Sequence, residues 1–231
     1  MAPLIMFPVM VVTVGAAGVV LRYVVGGRDA GRQLLRGVRR WRVRPGYYAV
    51  LLIPPACILA VLLVLSALVG PAFRPNAFPL GLAFGVIAGF FEEFGWTGFA
   101  YPRLSDRLGL RPGALVLGVL WGVWHLPIVD SLGAASPHRT WLPAFFLTFV
   151  LVLTALRCLI AWLYSRTGSL LMAQATHASS TGFLVVFGAA QVTPGQEALW
   201  YALYGALLAV VAVILWLRLP PSPAGALATA R

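Results

Sequence analysis

Residues 141–164 read WLPAFFLTFVLVLTALRCLIAWLY, with Arg157 as the single charge in the stretch. A helix that crosses the hydrocarbon core of a bilayer needs about 20 mostly apolar residues, and this run supplies them. Stretches of the same kind lie on both sides of it. Seven spans are expected in all, near 3–25, 47–69, 78–101, 113–129, 141–164, 168–190 and 197–217. Composition agrees: 61% of the 231 residues are hydrophobic and 10% are charged, against about 25% charged in a soluble domain. A water-soluble chain of this length has too little interior for so much apolar surface.

The expected fold is therefore all-α, a polytopic membrane helix bundle with about seven transmembrane helices. One transmembrane domain is expected over 1–219, followed by a disordered Pro/Ala-rich tail over 220–231. The first span starts next to Met1 with no basic flank and no small-residue cleavage site, so it reads as a retained span rather than a signal peptide. No internal repeat is present. Gly70-Pro71, Arg111-Pro112-Gly113 and Pro194-Gly195 are expected to mark hinges between spans. Cys57 and Cys158 fall inside spans and read as apolar fillers.

The net charge is +11 and all 17 basic residues are arginine. This is not a nucleic-acid signature, because seven of the arginines lie between Arg28 and Arg44, where a loop joins two apolar spans. Trp41 and Tyr47 suit a headgroup interface there, so the expected partners of this loop are anionic lipid headgroups. With that loop cytoplasmic, thirteen loop or tail arginines fall inside and only Arg74 and Arg139 outside. The expected orientation in the cell membrane is N-terminus outside and C-terminus cytoplasmic.

Against this background the polar residues stand out. Asp29, Asp106, Asp130 and Glu197 lie in loops or at span ends, and His138 lies in an outside loop beside Arg139. Glu92 and Glu93 lie inside the third span, His125 inside the fourth and His177 inside the sixth. A carboxylate at membrane depth costs about 2.5–3.5 kcal/mol on insertion scales, so it persists where it has a partner or a task. Counted from the cytoplasmic span ends at 1.5 Å per residue, Glu92 and His177 lie about 13 Å deep and His125 about 18 Å. All three fall in one slab. Gly81, Gly85 and Gly89 form a small-residue stripe that continues into Glu93 and Thr97, which directs Glu93 into the bundle and Glu92 toward a neighbouring cleft. Gly118 and Gly122 precede His125, while Gln174, His177 and Thr181 share one side of the sixth span.

Taken singly, each of these groups reads as glue between helices, Glu93 for instance by pairing with Arg157 of the fifth span. Taken together they suit peptide hydrolysis, which needs an activated water, an acid for the leaving amine and donors for the oxyanion. A carboxylate shielded from water is a stronger base. One histidine can orient the water, and a second can stabilise the oxyanion. Alternatively, Glu92, His125 and His177 are adequate zinc ligands with water in the open position.

The stretch from Glu92 to Leu104, EEFGWTGFAYPRL, resembles the first motif of the CPBP family. That family groups CAAX prenyl endopeptidases with bacterial bacteriocin-processing and immunity proteins of Abi type. Trp121 to Pro127, WGVWHLP, resembles its second motif, and Ser169-Leu170-Leu171 leading to His177-Ala178-Ser179-Ser180-Thr181 its third. The CPBP-like core covers about 78–190. The resemblance implies an intramembrane endopeptidase acting on membrane-embedded or membrane-delivered peptides. It further implies that Glu92 and His125 position and activate the water, that Glu93 supports the site and that His177 helps bind the oxyanion. Whether the reaction is zinc-dependent or glutamate-based stays open.

Two positions depart from the family pattern. Thr97 stands where the first motif usually has arginine, and Arg103 or Arg157 is a candidate substitute for the missing cation. Thr181 stands where the third motif usually has asparagine, and its hydroxyl offers a single donor in the oxyanion role. These departures motivate a rival reading as a catalytically weak scaffold or immunity-type membrane protein. An ion-coupled transporter is a further rival, although no repeat with paired broken helices is present.

Overall fold

The computed structural model describes residues 2–218, with side chains from residue 5 onward. The tail expected over 220–231 lies outside the described residues. Each of the seven expected spans contains a helix, the fourth only as far as Trp124. In chain order the helices are α1 (Ala2–Arg39), α2 (Ile53–Leu68), α3 (Gly81–Gly95), α4 (Tyr101–Leu108), α5 (Leu110–Trp124), α6 (Leu142–Thr167), α7 (Leu170–Phe187) and α8 (Pro194–Arg218). A 3₁₀ segment, Pro45–Leu52, leads into α2, and a π turn, Trp96–Ala100, joins α3 to α4 without a break.

Among the described residues, five helical stretches are long and apolar enough to cross a membrane alone: Ile5–Arg39, Pro45–Leu68, Arg139–Thr167, Leu170–Phe187 and Pro194–Arg218. The expected third and fourth spans are the shorter ones. Helices α3 and α5 each have 15 residues of regular α-helix, about 22 Å at 1.5 Å per residue. These two carry the glutamate pair and end at His125.

Three boundaries differ from expectation for identifiable reasons. The Arg28–Arg44 segment is helical as far as Arg39, because α1 resumes after a break at Gly27, whose φ of 71° and ψ of −174° interrupt the helix. The break expected at Arg111-Pro112-Gly113 falls earlier, at Gly109, where φ is 87°. That positive φ favours glycine, and Pro112 then sits in the first turn of α5, where a missing N–H is tolerated. Third, α5 stops at Trp124, so His125 is the residue that caps it rather than an interior one.

The small-residue stripe of α3 packs on α7. A Cβ added at Gly89 would come within 2.5 Å of the Ala178 backbone nitrogen, and one at Gly85 would collide with the Ala178 carbonyl. Helix α5 approaches α6 in the same manner, Gly118 against Thr154 and Gly122 against Val150. Helix α8 packs along the far side of α6. The core between them includes Trp121, Leu156, Leu159, Tyr204 and Leu208. Outward faces are apolar too: Leu63, Val64 and Leu68 on α2 are exposed, the last by 81%. Such a surface suits lipid.

The α5–α6 connection is tied down on α8. His138 and Glu197, expected near loops, are 0% and 1% exposed. Glu197 accepts from the backbone N–H groups of Ala134 and Ala135 at 2.9 and 2.8 Å and from His138 Nε2 at 3.2 Å. His138 Nδ1 lies 3.1 Å from Asp130 Oδ1, and its ring stacks on Phe145.

Candidate active site

The site is built where α3, α5, α6 and α7 meet. Successive residues on a helix point about 100° apart, so Glu92 and Glu93 face different neighbours. Glu93 continues the glycine stripe toward α6 and α7 and is fully buried. Arg157 of α6 donates to it twice, Nη1 to Oε2 at 2.9 Å and Nη2 to Oε1 at 2.8 Å. Thr97 Oγ1 donates to Glu93 Oε2 and accepts from Arg157 Nη1, the latter at 3.0 Å. His177 Nδ1 donates to Glu93 Oε1 at 2.9 Å. Both oxygens of Glu93 are thus committed.

Arg157, itself fully buried, stacks its guanidinium 4.3 Å from the centre of the Trp121 ring. A two-bond guanidinium–carboxylate fork is the geometry that best repays desolvating both charges. Of the two cations considered as replacements for one at position 97, Arg157 takes the place. Arg103 instead donates to the Phe99 carbonyl and lies over the Phe99 ring.

Glu92 turns toward α5. Its Oε2 accepts from two indoles, Trp96 Nε1 at 3.1 Å and Trp121 Nε1 at 3.0 Å. Among the described residues its Oε1 takes no protein donor. His125 Nδ1 donates to the Trp121 carbonyl at 2.8 Å, which satisfies an acceptor exposed where α5 ends. Its ring lies against Phe149 and Trp121, within electrostatic reach of Glu92 and His177. The His177 ring meets the Trp121 ring edge-on at 4.8 Å.

Each imidazole therefore spends Nδ1–H on a fixed acceptor, which leaves Nε2 as the working nitrogen. Trp121 links all of these parts: it holds Glu92 through its indole, His125 through its carbonyl, and Arg157 and His177 through its ring. Trp121 and Trp96 were not among the residues expected to orient the site. Their signal was spacing, since Trp96 lies four residues after Glu92 and Trp121 four before His125. Thr181 lies one turn beyond His177, half-buried, and its side chain makes no hydrogen bond among the described residues.

Fixing Nδ1 on a carboxylate or carbonyl is how metal-binding imidazoles are commonly oriented. Among the described residues, however, no three His, Cys, Asp or Glu side chains stand close enough to hold one ion. Glu92 Oε2 is also already filled by two indoles. As placed, the residues do not form a three-ligand zinc site.

A helical membrane protein with a buried glutamate–histidine–arginine site enclosed between its helices is the class that fold and site define. The family model described as Type II CAAX prenyl endopeptidase Rce1-like matches residues 74–183, the segment that holds every site residue and leaves out α1, α2 and α8. The protein named CAAX prenyl protease 2 from Methanococcus maripaludis is 32% identical over 90 residues, 35% of this chain. The matched stretch spans 33% of that relative's length. The chain is a multi-pass membrane protein, and over its middle portion it is similar to the CAAX prenyl endopeptidases.

Proposed function

We propose that the protein is an intramembrane endopeptidase that hydrolyses peptide bonds of membrane-embedded or membrane-delivered substrates, with Glu92 as general base. The observation that carries this reading is the asymmetry of the glutamate pair. Glu93 is saturated by Arg157, Thr97 and His177, whereas Glu92 is anchored through one oxygen and keeps the other free. A base needs that combination of fixed orientation and an open lone pair.

In the proposed reaction a water donates one hydrogen to Glu92 Oε1 and the other, as a hydrogen bond, to His125 Nε2. Its oxygen attacks the peptide carbonyl as Glu92 takes the proton. The carbonyl electron pair moves onto oxygen, where His177, protonated at Nε2 and balanced by Glu93, donates to the oxyanion, with the Thr181 hydroxyl as a second donor. Collapse of the tetrahedral species breaks the C–N bond, and Glu92 returns its proton to the leaving amine. Glu93 and Arg157 hold His177 in place. Zinc held by Glu92, His125 and His177 is the competing proposal for water activation, and would require these groups to draw together when substrate or metal binds.

The deciding experiment uses detergent-purified protein, a panel of lipid-anchored and prenylated C-terminal peptides, and metal analysis of the same samples. The expected result is cleavage that is indifferent to chelator and is lost in both Glu92→Gln and His125→Ala. About one zinc per chain, lost with His125 together with cleavage, would replace glutamate-based activation with a metalloprotease mechanism. Correctly folded protein that cleaves no peptide, and whose cellular phenotype survives Glu92→Gln, would favour the scaffold or immunity-type reading.

A further inference from the structure

The arginines near the end of the first span enclose a space as well as coating a surface. Arg22, Arg36 and Arg40 line one cavity of about 240 Å³ together with Gln33, Gly98 and Tyr164. Its walls are α1, the π turn after α3 and the short link between α6 and α7. No acidic side chain lines it. Arg22 spends its guanidinium on neutral acceptors, the Ala30 carbonyl and Gln33 Oε1, each at 3.3 Å. Among the described residues none of the three arginines pairs with a carboxylate.

Positive charge also crowds this corner from the neighbouring element. Burial, and after it the charge of Arg22, lowers the pKa of Arg103 below the usual guanidinium value, with Asp106 opposing. Tyr164 lies within electrostatic reach of both Arg22 and Arg40. Like charges gathered without a counter-ion define an anion site. Its position specifies the anion: Arg22 is the first charge after the apolar run of α1, and exposed Leu21 and Val25 lie beside it on the helix. A head bound by the arginines would thus have its acyl chains against apolar side chains.

We infer that this cavity binds the phosphate of an anionic lipid headgroup, one lipid per chain, at a site separate from the glutamate–histidine cluster. Guanidinium groups match phosphate oxygens in fork geometry, and the cavity converts diffuse attraction to the arginine-rich segment into a located, saturable site. The inference does not depend on proteolysis, since Glu92, His125 and His177 lie outside the cavity.

The test is native mass spectrometry of the full chain in detergent, titrated with phosphatidylglycerol, phosphatidylcholine or inorganic phosphate. Wild type is expected to retain one phosphatidylglycerol and to discriminate against phosphatidylcholine. Arg36→Gln/Arg40→Gln, both at exposed positions, should weaken that binding about thirtyfold. Arg28→Gln/Arg32→Gln removes the same charge from the same arginine-rich segment outside the cavity and should leave binding unchanged. Equal losses in the two double variants would reduce the effect to a diffuse surface field and overturn the site. So would equal retention of phosphatidylcholine, or full displacement of the lipid by equimolar inorganic phosphate, which would assign the cavity to the free ion. Lipid retention in His125→Ala, alongside absent cleavage, keeps this result separate from the fate of the protease reading.

Discussion

Trp121 joins more of the site than any of the residues first singled out from the sequence, and its replacement separates orientation from chemistry. In Trp121→Phe the ring still covers Arg157 and faces His177, but Glu92 keeps only the indole of Trp96. We expect cleavage to fall about ten- to a hundredfold, as when one hydrogen-bonding partner of a buried charged group is removed, with little change in the unfolding temperature. Peptide turnover and thermal unfolding of the same preparation check both parts. Arg157 has the opposite profile. Arg157→Met strands the fully buried Glu93 carboxylate, and breaking a buried pair from one side costs about 3–5 kcal/mol. Thr97→Arg alone brings a second guanidinium into an occupied space and should also destabilise. The double variant Thr97→Arg/Arg157→Met returns one cation to Glu93 and should recover most of the loss, measured as midpoint shifts in detergent. Failure of that recovery would mean that Arg157 acts through packing rather than charge.

Among the elements, the α3–α7 contact sets the distance between Glu93 and His177. The glycine stripe brings the two backbones close, and no side chain fits at Gly89. Gly89→Val should force α7 away, break the 2.9 Å bond between His177 Nδ1 and Glu93 and abolish cleavage. Its unfolding temperature should fall more than that of Trp121→Phe. The shortness of α5 is equally functional. Because the helix stops at Trp124, the Trp121 carbonyl is free to take His125 Nδ1, so the end of the helix fixes the tautomer of the histidine. A full-length helix would have used that carbonyl in its own ladder.

For the molecule as a whole, the two shorter helices that carry polar groups pack their inner faces on long ones, α3 on both α7 and α1, and α5 on α6, and turn apolar faces outward. The connection after α5 is anchored to α8 through His138 and Glu197. His138→Phe keeps a ring against Phe145 but removes the bonds to Glu197 and Asp130. We expect a loss of about 1–3 kcal/mol, seen as a lower unfolding midpoint, with the lipid preference unchanged. The proposed orientation is tested in a Cys57→Ala/Cys158→Ala background by single cysteines at two exposed positions, Arg39→Cys and Thr140→Cys. An impermeant thiol reagent on intact cells should label position 140, and reach position 39 only after permeabilisation. The reverse pattern would invert the topology read from the arginines.

Hydrophobic runs and charge placement were enough to read a helical membrane bundle, because lipid leaves a spanning backbone few ways to satisfy its hydrogen bonds. The 100° step between neighbours was enough to read that Glu93 enters the bundle and Glu92 faces elsewhere, since that geometry is local. Periodicity says which face a residue occupies, but not which helix will cover that face or at what axial offset. The choice of Arg157, 64 residues from Glu93 in sequence, over the nearer Arg103 came from the approach of α6. The bond from Trp121 to Glu92 spans 29 residues, and the one from His138 to Glu197 spans 59. These pairings depend on how glycine faces let particular helices approach, and on the end of α5 at Trp124. Both are properties of the packed molecule rather than of any one segment.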